Sequence, residues 1–249
     1  MKLSSAPAGP VRTALSAWAS RPGIVRAGWP AMVALGIVLT LVTQILLVRR
    51  EVLDVGDTLT VTALAIIAGA IGAKAWYVVL KRRERRWDGW CIQGFVLAVI
   101  LVALVVVPLV DLPLGTFLDL TTPPLFLGMG TGRIGCLLAG CCGGRPTCSR
   151  VGIWSSDRRL GARRVPTQLL EAGLGFTVAA GSLAVFTWQS RDGAPGGLLF
   201  VAALAGYTLC RQGLLRFRAE GRRTSVGSRL TGITAGIVFV AAGAALVLA

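Results

Sequence analysis

Long apolar runs alternate with short polar or basic segments along almost the whole chain. A helix that crosses a hydrocarbon core of about 30 Å needs roughly 20 mostly apolar residues. Seven runs approach that length, at 29–48, 59–80, 90–109, 119–142, 166–188, 196–215 and 230–249. The first closes at Arg49-Arg50-Glu51 and the second at Lys81-Arg82-Arg83, while Asp111-Leu-Pro-Leu separates the third from the fourth. The fourth and fifth runs are the weakest, the fourth because it is rich in glycine and carries Arg133. This pattern predicts an all-α, polytopic membrane protein of about seven transmembrane helices over residues 29–249. Residues 1–28 are rich in Ala, Pro, Ser and Arg and read as a basic, flexible N-terminal segment. They show no signal-peptide pattern, and the first apolar run is long enough to remain as a span.

Composition agrees. Only 15% of residues are charged and the mean hydropathy is +0.72, whereas soluble domains carry about a quarter charged residues. The net charge is nevertheless +15, which places the basic residues in loops. There they set topology or attract anionic headgroups. Nucleic-acid binding fits the charge but not the apolar runs. Counted loop by loop, with Arg211 at the end of the sixth run taken with the segment after it, twenty-one Lys and Arg fall on one side of the seven runs and three on the other, with Lys74 and Arg133 inside them. Removing any one run would scramble this alternation. Taken alone, the bias puts the N-terminus inside and the C-terminus outside.

An ionised side chain at a helix centre costs about 2.5–3.5 kcal/mol, so it faces a partner or a wet cavity. Lys74 has a stem long enough to reach the second loop. Arg133 sits among Gly128, Met129, Gly130, Thr131, Gly132, Ile134 and Gly135. Residues 128, 132, 136 and 140 form a stripe of small side chains at four-residue spacing, and Gly128, Gly132, Gly135 and Gly140 are expected to let another helix approach closely. Packing explains the glycines but not a buried guanidinium. Arg133 is therefore expected to bind an anion, either Glu171 or a ligand phosphate.

Cys136, Cys141, Cys142 and Cys148 cluster within 13 residues. Three readings stay open for them: small apolar packing, a disulfide such as Cys142 with Cys148, or metal or redox chemistry at a thiol site of Cys136, Cys141 and Cys142. The adjacent Cys141 and Cys142 depart from usual metal-ligand spacing and the chain has no histidine, so no metal is expected.

Two blocks are the densest signal: Gly132-Arg-Ile-Gly-Cys-Leu-Leu-Ala-Gly-Cys-Cys-Gly-Gly-Arg-Pro-Thr147 and Val165-Pro-Thr-Gln-Leu-Leu-Glu-Ala172. Here the sequence resembles the prolipoprotein diacylglyceryl transferase family, in a cysteine-bearing version of its signature. Gly72-Ala-Lys-Ala-Trp-Tyr77, the stretch from Tyr207 through Arg211 to Arg218, and Ser225-Val-Gly227 extend the likeness over about residues 26–249. The resemblance implies seven spans in a bacterial cytoplasmic membrane. It also implies transfer of the diacylglyceryl group of phosphatidylglycerol to the lipobox cysteine in a prolipoprotein signal peptide, with no cofactor and with membrane lipids as surroundings. Arg133 and Arg211 match family arginines and would bind the phosphodiester, a task that suits a planar guanidinium. Gln168 and Glu171 match the second block and would order the arginines.

The departures are equally specific. Ile92-Gln93-Gly94 stands where the family has His-Gly-Gly, and Trp29 where it has a tyrosine. Cys136 and Cys141 replace Asn and Glu of the signature. Val165 replaces a His, and Leu215 a Glu. The alternative expectation is thus a catalytically impaired or repurposed phospholipid-binding relative. A transporter, suggested by glycine-rich spans with intramembrane charge, ranks last because no inverted repeat is visible. The family places the loops flanking its signature at the outer membrane face, opposite to the charge bias. Either the loop arginines serve anionic lipid rather than topology, or this relative is inverted, which would rule out the lipoprotein reaction.

Overall fold

The computed structural model describes residues 22–51, 53–80, 92–149, 151–154, 163–188, 196–219 and 225–248. The N-terminal segment through residue 21, the basic loop at 81–86, Cys91, Arg158, Arg159 and Arg191 lie outside the described residues. Among the described residues there are seven α-helices: α1 Pro22–Val48, α2 Val55–Leu80, α3 Ile92–Leu109, α4 Leu114–Ala139, α5 Thr167–Trp188, α6 Leu198–Leu214 and α7 Ser225–Leu248. A 3-10 turn, Leu215–Phe217, extends α6. Two short strands, β1 Ile153–Trp154 and β2 Arg163–Arg164, pair antiparallel in the loop before α5.

Each expected run is a helix, with shifted ends. Helix α2 starts at Val55 because Asp54 caps it, its Oδ1 accepting from the Asp57 amide at 2.8 Å. Five helices (α1, α2, α5, α6 and α7) are long and apolar enough to cross a membrane, and α3 is apolar but shorter in its described part. Helix α4 is the exception, because Pro123, Pro124, several threonines and Arg133 dilute its apolar character.

The polarity of the fold is inverted relative to a water-soluble protein. Leu46, Ile71, Val79, Leu101, Leu109, Ile233, Ile237 and Val240 are exposed on helix surfaces, whereas Gln44, Thr58, Thr62, Thr122, Gln168 and Glu171 are buried. Exposed apolar area on this scale is stable only against lipid. The chain is an all-α, multi-pass membrane protein.

The described residues divide into two compact units, one of residues 41–121 with 195–197 and one of residues up to 40 with 122–194 and 198–249. In the first, Val61, Val107, Leu112 and Phe117 form the buried core. Gln44 Nε2 donates to Thr121 Oγ1 at 3.1 Å, and Asp119 Oδ2 accepts from the Gly197 amide at 2.7 Å. Helices α2 and α3 approach so closely at Gly72 and Gly94 that a Cβ on Gly72 would lie 2.5 Å from the Gly94 carbonyl oxygen. Such proximity favours dispersion and weak Cα–H···O contacts, the main sources of helix association in lipid.

In the second unit, α1 and α4 meet at Gly36 and Gly128, and Gly135 lies against Trp29 and Met32. Thr40 Oγ1 donates to the Pro124 carbonyl at 3.0 Å. The expected four-residue stripe is only partly a packing surface. Gly128 and Gly135 pack as expected, but a Cβ on Gly132 would meet nothing within 4 Å. Gly140 lies beyond the helix in a left-handed conformation, φ 72°, so it terminates α4 instead of packing it. The crossing of α4 and α5 uses a different pair, Gly130 and Gly175, whose backbones come within about 3 Å of a Cβ placed on Gly175.

These contacts predict that Gly94→Ala costs about 2 kcal/mol through overpacking against backbone, while Gly243→Ala, with no neighbour within 4 Å, is neutral. Thermal unfolding in detergent checks this, and equal melting temperatures for both variants would refute the close approach.

Candidate functional site

Three chain segments converge at the C-terminal end of α4. Helix α4 closes with a Schellman turn: the Gly140 amide donates to the Leu137 carbonyl at 3.2 Å and the Cys141 amide to the Cys136 carbonyl at 3.1 Å. The chain then runs extended between two others. The Gly144 amide donates to Val165 O at 3.2 Å, the Val165 amide to Arg145 O at 3.0 Å, and the Arg145 amide to Phe217 O at 2.8 Å. The Ala219 amide returns to Gly143 O at 3.3 Å. A Cβ at Gly144 would press on both neighbours, 2.9 Å from Phe217 O and closer still to Val165 O. Only glycine fits there. The loop after α4, the entry to α5 and the exit of α6 are thereby locked together.

The side chains of α5's first turn complete the lock. Gln168 Nε2 donates to Cys141 O at 2.8 Å, and Thr167 Oγ1 donates to Cys142 O at 3.2 Å. Gln168 is expected from sequence to order the arginines; its described hydrogen bond holds the cysteine loop instead.

The ionic centre follows from the Gly130–Gly175 crossing. One turn further along α4 stands Arg133, and one turn earlier on α5 stands Glu171. Arg133 Nε meets Glu171 Oε2 at 2.9 Å, with the carboxylate side chain 2% exposed and the guanidinium 22% exposed. Of the two anions expected for Arg133, Glu171 is the one found in the structure. Arg218 adds a second cation, its Nη1 3.8 Å from Glu171 Oε1. The Tyr207 hydroxyl hydrogen-bonds Arg133 and also feels the charge of Arg211. Its ring packs on Phe126 with centroids 5.2 Å apart. The Arg211 Nε is buried without a hydrogen-bond partner among the described residues.

Two arginines therefore flank one carboxylate, and Arg211 adds a third positive charge near Tyr207, leaving an excess of positive charge in a largely dehydrated site. A guanidinium carries five N–H donors, and Glu171 and Tyr207 do not exhaust those of Arg133. The arrangement suits a bound oxyanion.

The cysteine readings also meet the geometry. Cys142 and Cys148 are both free thiols, as are Cys136, Cys141 and Cys210, so the suggested Cys142–Cys148 disulfide is absent. Cys141 and Cys142 are exposed and Cys136 is half-buried. The Sγ atoms of Cys136, Cys141 and Cys142 lie within 4.8 Å of one another. Thiol hydrogen bonds from Cys136 and Cys141, aided by the charges of Arg218 and Arg133, hold the Cys142 thiol well below the usual range. Hydrogen bonds with Cys136 and Cys142 push the Cys141 thiol up.

Sequence reasoning singled out Arg133, Glu171 and the thiols and left Tyr207 and Arg218 without assigned roles. The signal for Tyr207 was its place one turn before Arg211. An apolar cavity of about 640 Å³ among α5, α6 and α7, lined by Val178, Trp188, Leu199, Phe239 and Val247 among others, shares no residue with this centre. It suits a hydrocarbon chain and carries no ionisable group.

Removing Glu171 leaves Arg133 and Arg218 facing each other without compensation. Glu171→Ala is expected to cost about 3 kcal/mol, and Glu171→Gln less, because an amide oxygen still accepts from Nε. Unfolding midpoints in detergent measure both; a wild-type midpoint for Glu171→Ala would contradict the pairing.

Comparison with known proteins gives the same direction as the geometry. The family model described as prolipoprotein diacylglyceryl transferase matches residues 25–249. A protein of Clostridium tetani (strain Massachusetts / E88) named phosphatidylglycerol–prolipoprotein diacylglyceryl transferase is 25% identical over 185 residues, covering 70% of this chain and 73% of that protein. One from Clostridium perfringens (strain 13 / Type A), named phosphatidylglycerol–prolipoprotein diacylglyceryl transferase 2, is 33% identical over 130 residues, covering 47% of this chain and 51% of that protein. With nearly the whole helical region matched and the signature arginine paired to the glutamate of the second block, this chain belongs to the prolipoprotein diacylglyceryl transferase family.

Proposed function

We propose that this protein transfers the diacylglyceryl group of phosphatidylglycerol to the lipobox cysteine of a prolipoprotein, in the cytoplasmic membrane of a bacterium. The observation that carries the reading is the arginine-rich centre around Glu171, set at the end of a membrane helix. In this reaction a thiol sulfur bonds to a glyceryl carbon while the carbon–oxygen bond to the phosphate breaks. Negative charge grows on the departing phosphate. Donors fixed in a dehydrated site stabilise such charge more than water does, because they need no reorganisation.

Roles follow from position. Arg133, oriented by Glu171 and Tyr207, holds the phosphodiester. Arg211, with its unpartnered buried Nε, supplies a further donor. Arg218 offsets the Glu171 charge so that the lipid phosphate meets a net positive field. The glycine contacts at 128, 130 and 135 keep α1, α4 and α5 close enough to exclude water from this grip.

A second reading, a phospholipid-binding relative without turnover, is favoured by one observation: the chain has no histidine. Proton removal from an acceptor thiol then needs another device.

Purified protein incubated with phosphatidylglycerol and a lipobox peptide is expected to form the thioether. Arg133→Ala lowers the rate by at least about 100-fold, the scale of a lost transition-state donor. Arg133→Lys keeps charge without the planar fork and recovers only part. No thioether under conditions that serve the Clostridium tetani relative would leave the non-catalytic reading. The reaction also requires the 143–165 loop outside. A cytosol-active reporter fused there is expected to stay silent, and reporter activity would exclude the lipoprotein reaction.

A further inference from the structure

The phosphate grip leaves three nucleophilic side chains unused. Cys136, Cys141 and Cys142 bring their Sγ atoms within 4.8 Å of one another, and two backbone features enforce it. The Schellman turn folds Cys141 back onto the Cys136 carbonyl. Cys142 then takes φ 57°, a left-handed conformation that non-glycine residues rarely adopt. Adjacent cysteines on an extended chain would point apart; this local reversal turns both thiols toward Cys136. That is why sequence spacing alone argued against a shared ligand.

We propose that these three thiols bind one thiophilic divalent cation of the zinc class, leaving its fourth position open to the acceptor thiol. Tetrahedral zinc with Zn–S bonds of about 2.3 Å sets sulfurs roughly 3.8 Å apart, so the observed cluster needs to close by no more than about 1 Å. An all-sulfur set selects a soft cation over magnesium or calcium, which require oxygen ligands. Charge discriminates further. Three thiolates with a divalent ion carry one net negative charge, and Arg133, Arg211, Arg218 and Glu171 together carry two net positive charges. One positive charge then remains for the lipid phosphate. A monovalent ion would cancel that surplus. The exposure of Cys141 provides the entry route.

Three protein ligands and one open position is the arrangement of catalytic rather than structural zinc. The use of that position rests on the transferase reading above. A thiol entering it releases its proton to bulk water and remains as a metal-bound thiolate. The sulfur then bonds to the glyceryl carbon as the carbon–oxygen bond breaks, and the electron pair leaves on the phosphate oxygen beside the arginines. The neutral thioether product is a weaker ligand than a thiolate and departs. The metal thus supplies the thiol activation that a histidine-free chain lacks.

The test loads the full-length protein, purified in detergent with a phosphine reductant, with cobalt(II) alone. One equivalent is expected to give thiolate-to-metal charge-transfer absorption. Cys136→Ser and Cys142→Ser weaken binding by more than about tenfold, at least the cost of a lost second-shell partner. Cys148→Ser and Cys210→Ser, the other described free thiols, leave it unchanged. Adding a lipobox peptide raises the band by about a third as three thiolates become four, and a serine analogue of that peptide does not. Absence of the band, equal loss in Cys148→Ser, or no response to the cysteine peptide overturns the proposal. Thioether formation by metal-free protein also overturns it while leaving the transferase reading intact. A cobalt band that responds to the peptide, with no thioether formed by the zinc-loaded protein, supports the site and removes that reading instead.

Discussion

A half-buried guanidinium in an apolar helix bundle must be neutralised by something, and in this fold the group is Glu171. The 2.9 Å contact between Arg133 and Glu171 constrains much around it. It requires α4 and α5 to cross within backbone distance, which Gly130 and Gly175 permit. It requires the start of α5 to be held against the end of α4, which Gln168 and Thr167 do through the carbonyls of Cys141 and Cys142. It also requires that the carboxylate not neutralise every nearby cation. Arg211 and Arg218 ensure this, so the site keeps a positive surplus after its own pairing. A fully balanced salt bridge would be a structural element; an unbalanced one suits the anion-binding role proposed for it.

The rest of the architecture reads as support for that imbalance. Apolar side chains turned outward keep the bundle in lipid, where the headgroup to be bound is concentrated. Some polar groups turned inward find partners across helix contacts, as with Thr40 on the Pro124 carbonyl and Gln44 Nε2 on Thr121. The extended loop at 143–147, fixed between the α5 entry and the α6 exit, carries Arg218 to the same carboxylate from a distant part of the chain. In the proposed reaction this centre acts mainly by position: charge is fixed before the lipid arrives, and the thiol cluster lies within its field.

Much of the fold was legible because lipid imposes a coarse rule, the length and apolarity of each run, and each of the seven expected runs is a helix. The ends were less legible because caps decide them: Asp54 starts α2 early and Gly140 stops α4 early. At the site, Arg133 and Glu171 stood out because an ionised residue in an apolar run is costly wherever it lies. The glycine stripe was misread in part. Periodicity names a face, but which glycine touches a neighbour depends on crossing angles that sequence does not encode, so Gly130 carried the contact that Gly132 was expected to share. The convergence of Cys136, Cys141 and Cys142 was hidden for a similar reason, since it depends on one left-handed residue. Tyr207 and Arg218 were in view as part of a motif, but their approach to Glu171 is a product of tertiary packing.

The central claim is that Glu171 acts through Arg133 to shape an anion receptor. Equilibrium binding of short-chain phosphatidylglycerol to wild-type protein, Arg133→Gln, Glu171→Gln and the double variant tests it as a cycle. The double variant is predicted to bind no more weakly than Arg133→Gln alone, because the carboxylate has no separate contribution once the guanidinium is gone. Losses that simply add would contradict the account.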